Sequence, residues 1–287
     1  MNAVNSLRRI RGVTLIELMI SIVIGLVVVA AVMVTFVNSG KAGRYEAALN
    51  QMNQNAQVAV SMLSREVQLA GYVSPGNSLG ARVSPLFGCD ASSSTTAGAI
   101  PFVSATVAGQ PTCSATVTAP TVSALEVVYE ADVYNTVLSG GNPSDCAGGA
   151  ALTSGAIKIA RNRYFVDRVA GGRPELYCAS DATAKVPLVE NVEDMQVWFG
   201  VFASATPNQV IRYAQASGVN ARPAGEWDNV KAARICLLMR SAEPILSGDD
   251  GQTYLGCFAT TATTYTDRYL RRSYYTTATV RSKMAVL

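Results

Sequence analysis

The most apolar part of the chain is a continuous run close to its N-terminus. Residues 13–37 read VTLIELMISIVIGLVVVAAVMVTFV, and Glu17 is the one charged residue among them. About 20 consecutive apolar residues are enough for a helix to cross a bilayer, whereas the core of a signal peptide is usually about 7–15 residues long. The pattern therefore predicts a membrane-spanning helix over 13–37.

A different pattern follows, in which apolar residues recur every three or four positions. This stripe consists of Tyr45, Leu49, Met52, Ala56, Ala59, Leu63, Val67 and Ala70. The period gives a helix one apolar face, which must pack on a partner surface. The first proline is Pro75, and together with Gly71 and Gly76 it supplies the helix breakers. We predict one long helix over 13–72, of which 38–72 is amphipathic.

Beyond residue 72 the pattern indicates short strands. Segments rich in β-branched and aromatic residues, bounded by Gly, Pro or Asn, are 125–134, 156–166, 175–178, 195–202, 230–240 and 273–281. Residues 73–156 are rich in Ser, Thr, Ala and Gly, which indicates a loop-rich β region. The predicted fold class is α+β, with the long N-terminal helix packed on a mostly antiparallel β-sheet in a head over 73–287.

Composition and charge exclude several classes of function. The chain has no histidine, so it lacks the commonest general base and the commonest neutral metal ligand. No nucleophile or cofactor motif stands out, and we expect neither an enzyme nor a cofactor. Arg8, Arg9 and Arg11 precede the apolar run, which by the positive-inside bias places the N-terminus in the cytoplasm and everything after Val37 on the other side of the membrane.

The six cysteines are widely spaced and include no CxxC motif. Such a set is typical of disulfides formed in an oxidising compartment. The sequence does not determine which cysteines pair. Proximity along the chain favours Cys236 with Cys257 and Cys89 with Cys113, which leaves Cys146 with Cys178.

Glu17 is out of place in an apolar run. A carboxylate at the middle of a bilayer costs about 2.5–3.5 kcal/mol on insertion scales. A cut between Gly12 and Val13 would create a positive amine, and the amine of a neighbouring subunit could then pair with Glu17. Pairing of this kind would fix the axial register between helices.

Residues 9–18, RIRGVTLIEL, resemble the class III signal of type IV prepilins and type II secretion pseudopilins. The resemblance implies that residues 1–12 are a leader peptide, that a prepilin peptidase cuts after Gly12 and methylates Val13, and that Glu17 serves in assembly. The family usually has Phe where this chain has Val13. Segments 189–201, 231–241 and 276–284 resemble PilW-type minor pilins and the related J pseudopilins.

The resemblance implies a minor pilin, a structural subunit that helps to initiate type IV pilus assembly at the tip of the fibre. Its implied partners are other minor and major pilins, the prepilin peptidase, the inner-membrane assembly platform, the inner membrane itself and a tip adhesin. The protein would span the inner membrane once and then enter the fibre, with consequences for twitching motility and cell adhesion.

Two alternatives stay open at this point. A type II secretion pseudopilin would carry the same N-terminal signal. A pilus-borne adhesin or DNA-binding module is the other, because residues 267–275, DRYLRRSYY, interleave arginine with tyrosine as single-stranded nucleic-acid sites do. Without residues 1–12 the chain is formally neutral, so we expect no DNA partner.

A metal site is not expected either. Residues 248–251, Gly-Asp-Asp-Gly, lack the ligand spacing of a calcium loop. The acids Glu190, Glu193 and Asp194 suggest paired carboxylates, but without a recognisable cleft motif they are better explained as the polar approach to a strand.

Overall fold

The computed structural model describes residues 12–79, 84–92, 102–103, 112–113, 121–149, 152–154, 157–168, 172–180, 185–203, 209–220, 226–246 and 252–284. Helix α1 (Leu15–Leu69) comes first, and most of the described residues after it form strands. The chain divides into two compact units, Met1–Ala47 and Ala48–Leu287. The end of α1 therefore belongs to the second unit, together with all of the strands.

The described strands are numbered here in chain order. They are β1 (Leu86–Ser92), β2 (Phe102–Val103), β3 (Thr112–Cys113), β4 (Thr121–Glu130), β5 (Leu138–Ser139), β6 (Asn142–Pro143), β7 (Leu152–Ser154), β8 (Ile157–Arg168), β9 (Pro174–Ala179), β10 (Lys185–Glu190), β11 (Val192–Phe202), β12 (Val210–Ala214), β13 (Val230–Arg240), β14 (Gln252–Leu255), β15 (Ala262–Tyr265) and β16 (Arg271–Thr279). A short helix α2 (Ala216–Asn220) follows β12. The predicted α+β class is confirmed.

The strands form two main sheets, where the sequence analysis predicted one. The first sheet has the order β1-β4-β8-β9-β10 with β7 paired to β8, and the second has the order β12-β11-β13-β16. Every described pairing is antiparallel. The predicted antiparallel pairing is confirmed, whereas the division into two sheets was not predicted, because a strand pattern specifies which face is buried and not which strand lies beside it.

The predicted strands lie where strands are found, with shifted ends. Residues 230–240 coincide with β13, whereas β4 ends at Glu130 and not at residue 134. The reason is a local turn, in which the N–H groups of Tyr134 and Asn135 both donate to Asp132 Oδ1 at 2.8 Å. An Asp side chain that bonds nearby backbone N–H groups competes with the strand ladder and ends it.

The second unit is built around the apolar face of α1. Met52, Ala56, Ala59, Leu63, Val67 and Ala70 are fully buried in one core that includes residues of both main sheets. Within the predicted stripe, Leu49 is partly buried against this core and Tyr45, in the first unit, is exposed.

The C-terminal end of α1 is fixed by its cap. Gly71 has a φ of +72°, a left-handed conformation that favours glycine after the last helical turn. Its N–H donates to the carbonyl oxygen of Val128 in β4 at 2.8 Å. The Ser282 hydroxyl, close to the C-terminus, donates to the carbonyl oxygen of Ala70 at 2.7 Å.

Three disulfides join Cys89 to Cys113, Cys146 to Cys178 and Cys236 to Cys257. The Cα–Cα distances are 5.5, 6.2 and 5.6 Å, within the usual range for a bridge. The first and third are the two pairs that proximity along the chain favours, and the second is the pair that these two leave. They connect β1 to β3, the loop after β6 to β9, and β13 to the turn after β14.

Candidate functional site

The N-terminal segment places the expected cleavage site just before the helix. Gly12 and Val13 are exposed and have no regular secondary structure, and α1 begins at Leu15. A peptidase can bind such a segment in an extended conformation without first unwinding a helix. The backbone geometry is therefore compatible with cleavage between Gly12 and Val13.

Thr14 and Glu17 form a capping box at the start of α1. The Thr14 N–H and hydroxyl both donate to Glu17 Oε2, at 3.1 and 3.2 Å. In return the Glu17 N–H donates to Thr14 Oγ1 at 3.3 Å. This reciprocal pair satisfies backbone donors that every helix leaves open at its N-terminus.

The capping role of Thr14 was not predicted from the sequence. Its signal was the spacing Thr-x-x-Glu immediately before an apolar run. The capping box gives Glu17 a local role in addition to the expected role in assembly. A carboxylate offers about four lone-pair sites, so the bonds from Thr14 leave Glu17 able to accept a cation from another subunit.

The N-terminal part of the helix that starts at this cap has an apolar and exposed surface. Among the described residues α1 is the one helix that is long and apolar enough to cross a membrane, and none of its most apolar window is buried. The exposed fractions of the large apolar side chains in 13–37 run from 51% at Val29 to 79% at Phe36. An apolar surface of this size requires lipid or other helices around it.

The arginine and tyrosine string at 267–275 does not present a continuous cationic surface. Arg271 is buried, donates to Glu193 Oε1 at 3.0 Å and to Asp267 Oδ1 at 2.7 Å, and stacks 4.2 Å from the Tyr265 ring centroid. Hydrogen bonds from Arg271 hold the pKa of Asp267 below its ordinary value. The two carboxylates neutralise Arg271, and Arg272 is the exposed arginine of the strand.

The acidic residues before and within β11 are not arranged as a catalytic pair. Glu193 binds Arg271, and Asp194 accepts hydrogen bonds from Gln196 Nε2 at 3.2 and 3.3 Å. Burial raises the pKa of Asp194 to about 6. Within the described ranges no group of three or more His, Cys, Asp or Glu side chains could hold a metal ion. The 248–251 loop lies outside the described residues.

Comparison with known families identifies both the N-terminal signal and the C-terminal half. Residues 163–282 match the model of type IV pilus-assembly protein W, and residues 7–33 match that of the prokaryotic N-terminal methylation motif. The chain is a type IV pilin-like protein. In this pilin-like protein the methylation motif covers Gly12, Val13 and Glu17, and the PilW match runs from within β8 to just beyond β16.

Comparisons with solved structures and with curated protein sequences give weaker evidence. A type IV-like pilin from Thermus thermophilus is similar in structure at 13% sequence identity and a TM-score of 0.38, over 84% of this chain and 100% of that one. A TM-score this low does not establish that the two proteins share a fold. No curated protein sequence matches the pilin-like protein.

Proposed function

We propose that this pilin-like protein is a minor pilin, a non-enzymatic subunit that helps to initiate type IV pilus assembly. The observation that carries the proposal is the N-terminal segment, where an accessible Gly12–Val13 bond is followed by a capped, apolar and exposed helix with Glu17 in its first turn. A prepilin peptidase cuts this bond and methylates the Val13 amine.

The proposed organisation has three parts. Residues 1–12 are the leader, 13–72 contain the long helix α1 (Leu15–Leu69), and 73–287 form the head. Residues 13–37 anchor the protein in the inner membrane with the head in the periplasm, as the arginines before the apolar run favour. The subunit then leaves the membrane for the fibre, with the assembly platform and the other minor and major pilins as partners.

Transfer from membrane to fibre requires little net desolvation of the apolar helix. Lipid tails and neighbouring pilin helices are similarly apolar, so association depends on packing and on polar pairs. The Glu17 carboxylate supplies such a pair, with the Val13 amine of an adjoining subunit. Each subunit is thereby held at one axial position relative to the next.

The size of the second unit favours a rare or terminal position in the fibre. Ala48–Leu287 make up most of the chain, and repeating so large a unit along a helical lattice would crowd neighbouring heads. We therefore propose a place at the tip. Quantitative mass spectrometry of purified fibres should find this subunit far below the major pilin, and a ratio near unity would contradict the tip position.

Mass spectrometry of the N-terminus, on protein isolated from its native membrane, tests the processing step. The expected result is a chain that begins at a methylated Val13. A chain that retains Met1 would overturn the proposal and leave an ordinary membrane anchor.

A type II secretion pseudopilin is the second candidate, since the N-terminal resemblance covers both kinds of subunit. Deletion of the gene distinguishes them. Loss of twitching with intact protein secretion supports the pilus, and loss of secretion with intact twitching supports the pseudopilin.

A further inference from the structure

A cleft of about 650 Å³ opens between α1 and the loop that follows β4. Val58, Met62 and Glu66 of the helix form one side. Tyr129 of β4 and Tyr164 of β8 lie on the sheet side. All of the lining residues belong to the second compact unit. The mechanism proposed for the N-terminal segment makes no use of this cleft.

The polar part of the cleft is centred on the Glu66 carboxylate. Asn162 Nδ2 donates to Glu66 Oε2 at 3.1 Å, and the Tyr129 and Tyr164 hydroxyls are also hydrogen-bonded to this carboxylate. These partners are neutral, and in the part of the chain that the structure describes no cation forms an ion pair with Glu66. Burial raises the pKa of the Glu66 carboxyl, because desolvation disfavours its charged form, and the charge of Arg65 only partly opposes this shift. A second cation close to the carboxylate would stabilise its charged form further.

Part of the cleft wall is apolar. Val58, Met62, Val137 and Leu188 contribute aliphatic side chains to the lining. The remaining lining is polar and includes Asp145, whose Oδ1 already accepts the N–H groups of Ala147 and Gly149. Aliphatic side chains in the same cleft as a carboxylate match a lysine side chain, whose methylene stem packs on apolar surface while its ammonium group binds an acceptor.

The loop at the rim is held by hydrogen bonds and a disulfide and nevertheless exposes large apolar side chains. Val133, Tyr134 and Val137 are exposed by 49%, 90% and 70%. Asn135 Nδ2 donates to the Glu130 carbonyl oxygen at 2.8 Å, and the Ser144 hydroxyl donates to the Val137 carbonyl oxygen at 2.6 Å. The disulfide from Cys146 to Cys178 in β9 anchors the end of the same loop. A loop ordered in advance loses little entropy when a partner binds.

We propose that this cleft binds a lysine side chain of a partner protein, with its ammonium group against Glu66 and its stem between Met62 and Val137. Tyr134 and Val133 then contact the partner surface around that lysine, as exposed aromatic anchors commonly do at interfaces. This inference concerns the second unit alone and does not rest on the proposed function.

The neighbouring residue Arg65 allows an independent test of the proposed lysine site. It lies at the exposed rim of the cleft and interacts electrostatically with Glu66. An incoming ammonium group is therefore attracted by Glu66 and repelled by Arg65. Changes at the two positions should shift lysine affinity in opposite directions, which general damage to the fold would not do.

The test uses the full chain in detergent micelles, labelled with 13C at the methionine methyl groups. The Met62 signal, assigned with a Met62→Leu variant, reports binding inside the cleft. The probes are Nα-acetyl-lysine methylamide and its uncharged analogue Nα-acetyl-norleucine methylamide. We expect the lysine probe to shift the Met62 signal with an affinity about tenfold higher than the norleucine probe, as one charge-assisted bond would give.

Two variants and a control complete the experiment. Glu66→Gln keeps an acceptor for Asn162 and should abolish the preference for lysine, and Arg65→Gln should increase lysine affinity. Glu46→Gln makes the same charge change on α1 outside the cleft and should change nothing. Equal shifts with the two probes, no shift with either, or an unchanged preference in Glu66→Gln would overturn the proposal. If Glu66→Gln does not fold, a failure of Arg65→Gln to increase affinity overturns it.

Discussion

The carboxylate of Glu17, at the start of α1, has a local role in the structure and a proposed role between subunits. The bonds between Thr14 and Glu17 position the side chain at the first turn. Negative charge there also complements the positive end of the helix macrodipole. The cap thus holds the acid where the Val13 amine of a neighbouring subunit is proposed to meet it.

Two substitutions separate these roles. Glu17→Gln should retain the capping box, since Gln serves at that position, but it removes the charge. We expect the fraction of the protein in sheared fibres to fall at least about tenfold, as for loss of one partner of a buried ion pair. Thr14→Ala removes the cap, costs about 1 kcal/mol of helix stability and leaves the charge. It should reduce incorporation far less.

Immunoblots of fibre and membrane fractions measure both effects. The membrane pool of each variant serves as the control for expression and insertion. If Thr14→Ala abolishes incorporation while Glu17→Gln is assembled normally, the cap and not the charge is what assembly requires.

Asp194 provides a prediction about pH. Its pKa is about 6 in the folded chain against an ordinary value of 3.8, with burial as the main cause. The folded state therefore binds more protons than the unfolded state between these values, and stability is lost as pH rises through them. Asp194→Asn should leave stability at pH 3.5 unchanged and increase it at pH 7.5, by at most about 3 kcal/mol.

Denaturant unfolding of the full chain in detergent at both pH values tests this prediction. Glu46→Gln is the control, because it removes a charge from an exposed position and should change stability little at either pH. An Asp194→Asn variant that is destabilised at pH 7.5 would show that the ionised carboxylate stabilises the fold.

The role of a single residue could be predicted from the sequence where a pattern of neighbouring residues indicated it. Glu17 is visible as the one acid in an apolar run, and Thr14 could have been found from its spacing to Glu17. Arg271 and Glu193 lie 78 positions apart, and Asn162 and Glu66 lie 96 apart. No pattern of neighbouring residues indicates either contact. Arg271 was therefore interpreted as part of the arginine and tyrosine string at 267–275, and no role was predicted for Glu66.

At the scale of elements, helix periodicity was the most informative signal. The stripe from Met52 onward is buried as its spacing predicts, because one face of a helix meets the core at every turn. Strand ends were less predictable. β4 starts at Thr121, before the predicted start at residue 125 and within a Ser- and Thr-rich stretch interpreted as a loop-rich β region. It ends where Asp132 forms its turn.

Truncation of a buried side chain on α1 tests the packing of this helix. Leu63 is 0% exposed, so Leu63→Ala should reduce the free energy of unfolding by about 2–5 kcal/mol through lost burial and a residual cavity. Val58, on the same helix, is 58% exposed, and Val58→Ala should stay within about 0.5 kcal/mol of the parent. Denaturant titration measures both, and equal effects would mean that this face of α1 does not form the core.

At the scale of the whole molecule, pairing between distant strands determines the architecture. β1 pairs with β4 and β13 pairs with β16, with other segments between them in each case. Each strand sequence specifies a buried face but leaves its neighbours open. The division into two sheets, and the side chains that meet between them, could therefore not be predicted from the sequence.

The contact between the sheets depends on a glycine in β1. A Cβ atom at Gly88 would overlap the ring of Phe199 in β11. That ring packs edge-on against Trp227, with centroids 4.9 Å apart, and Trp227 lies 4.7 Å from Phe87. Because the surrounding rings leave Phe199 little room to move, Gly88→Ala should destabilise the fold by about 1–3 kcal/mol.

A double mutant shows whether the Phe199 ring is the cause. Phe199→Leu leaves space beside Gly88, so adding it to Gly88→Ala should cost less than the two single effects combined, by at least about 0.5 kcal/mol of coupling. Gly218→Ala is the control, since its Cβ would lie 3.4 Å from the Ala214 Cβ, an ordinary contact. Strictly additive effects, or a Gly88→Ala variant as stable as the parent, would mean that the sheets pack without this close approach.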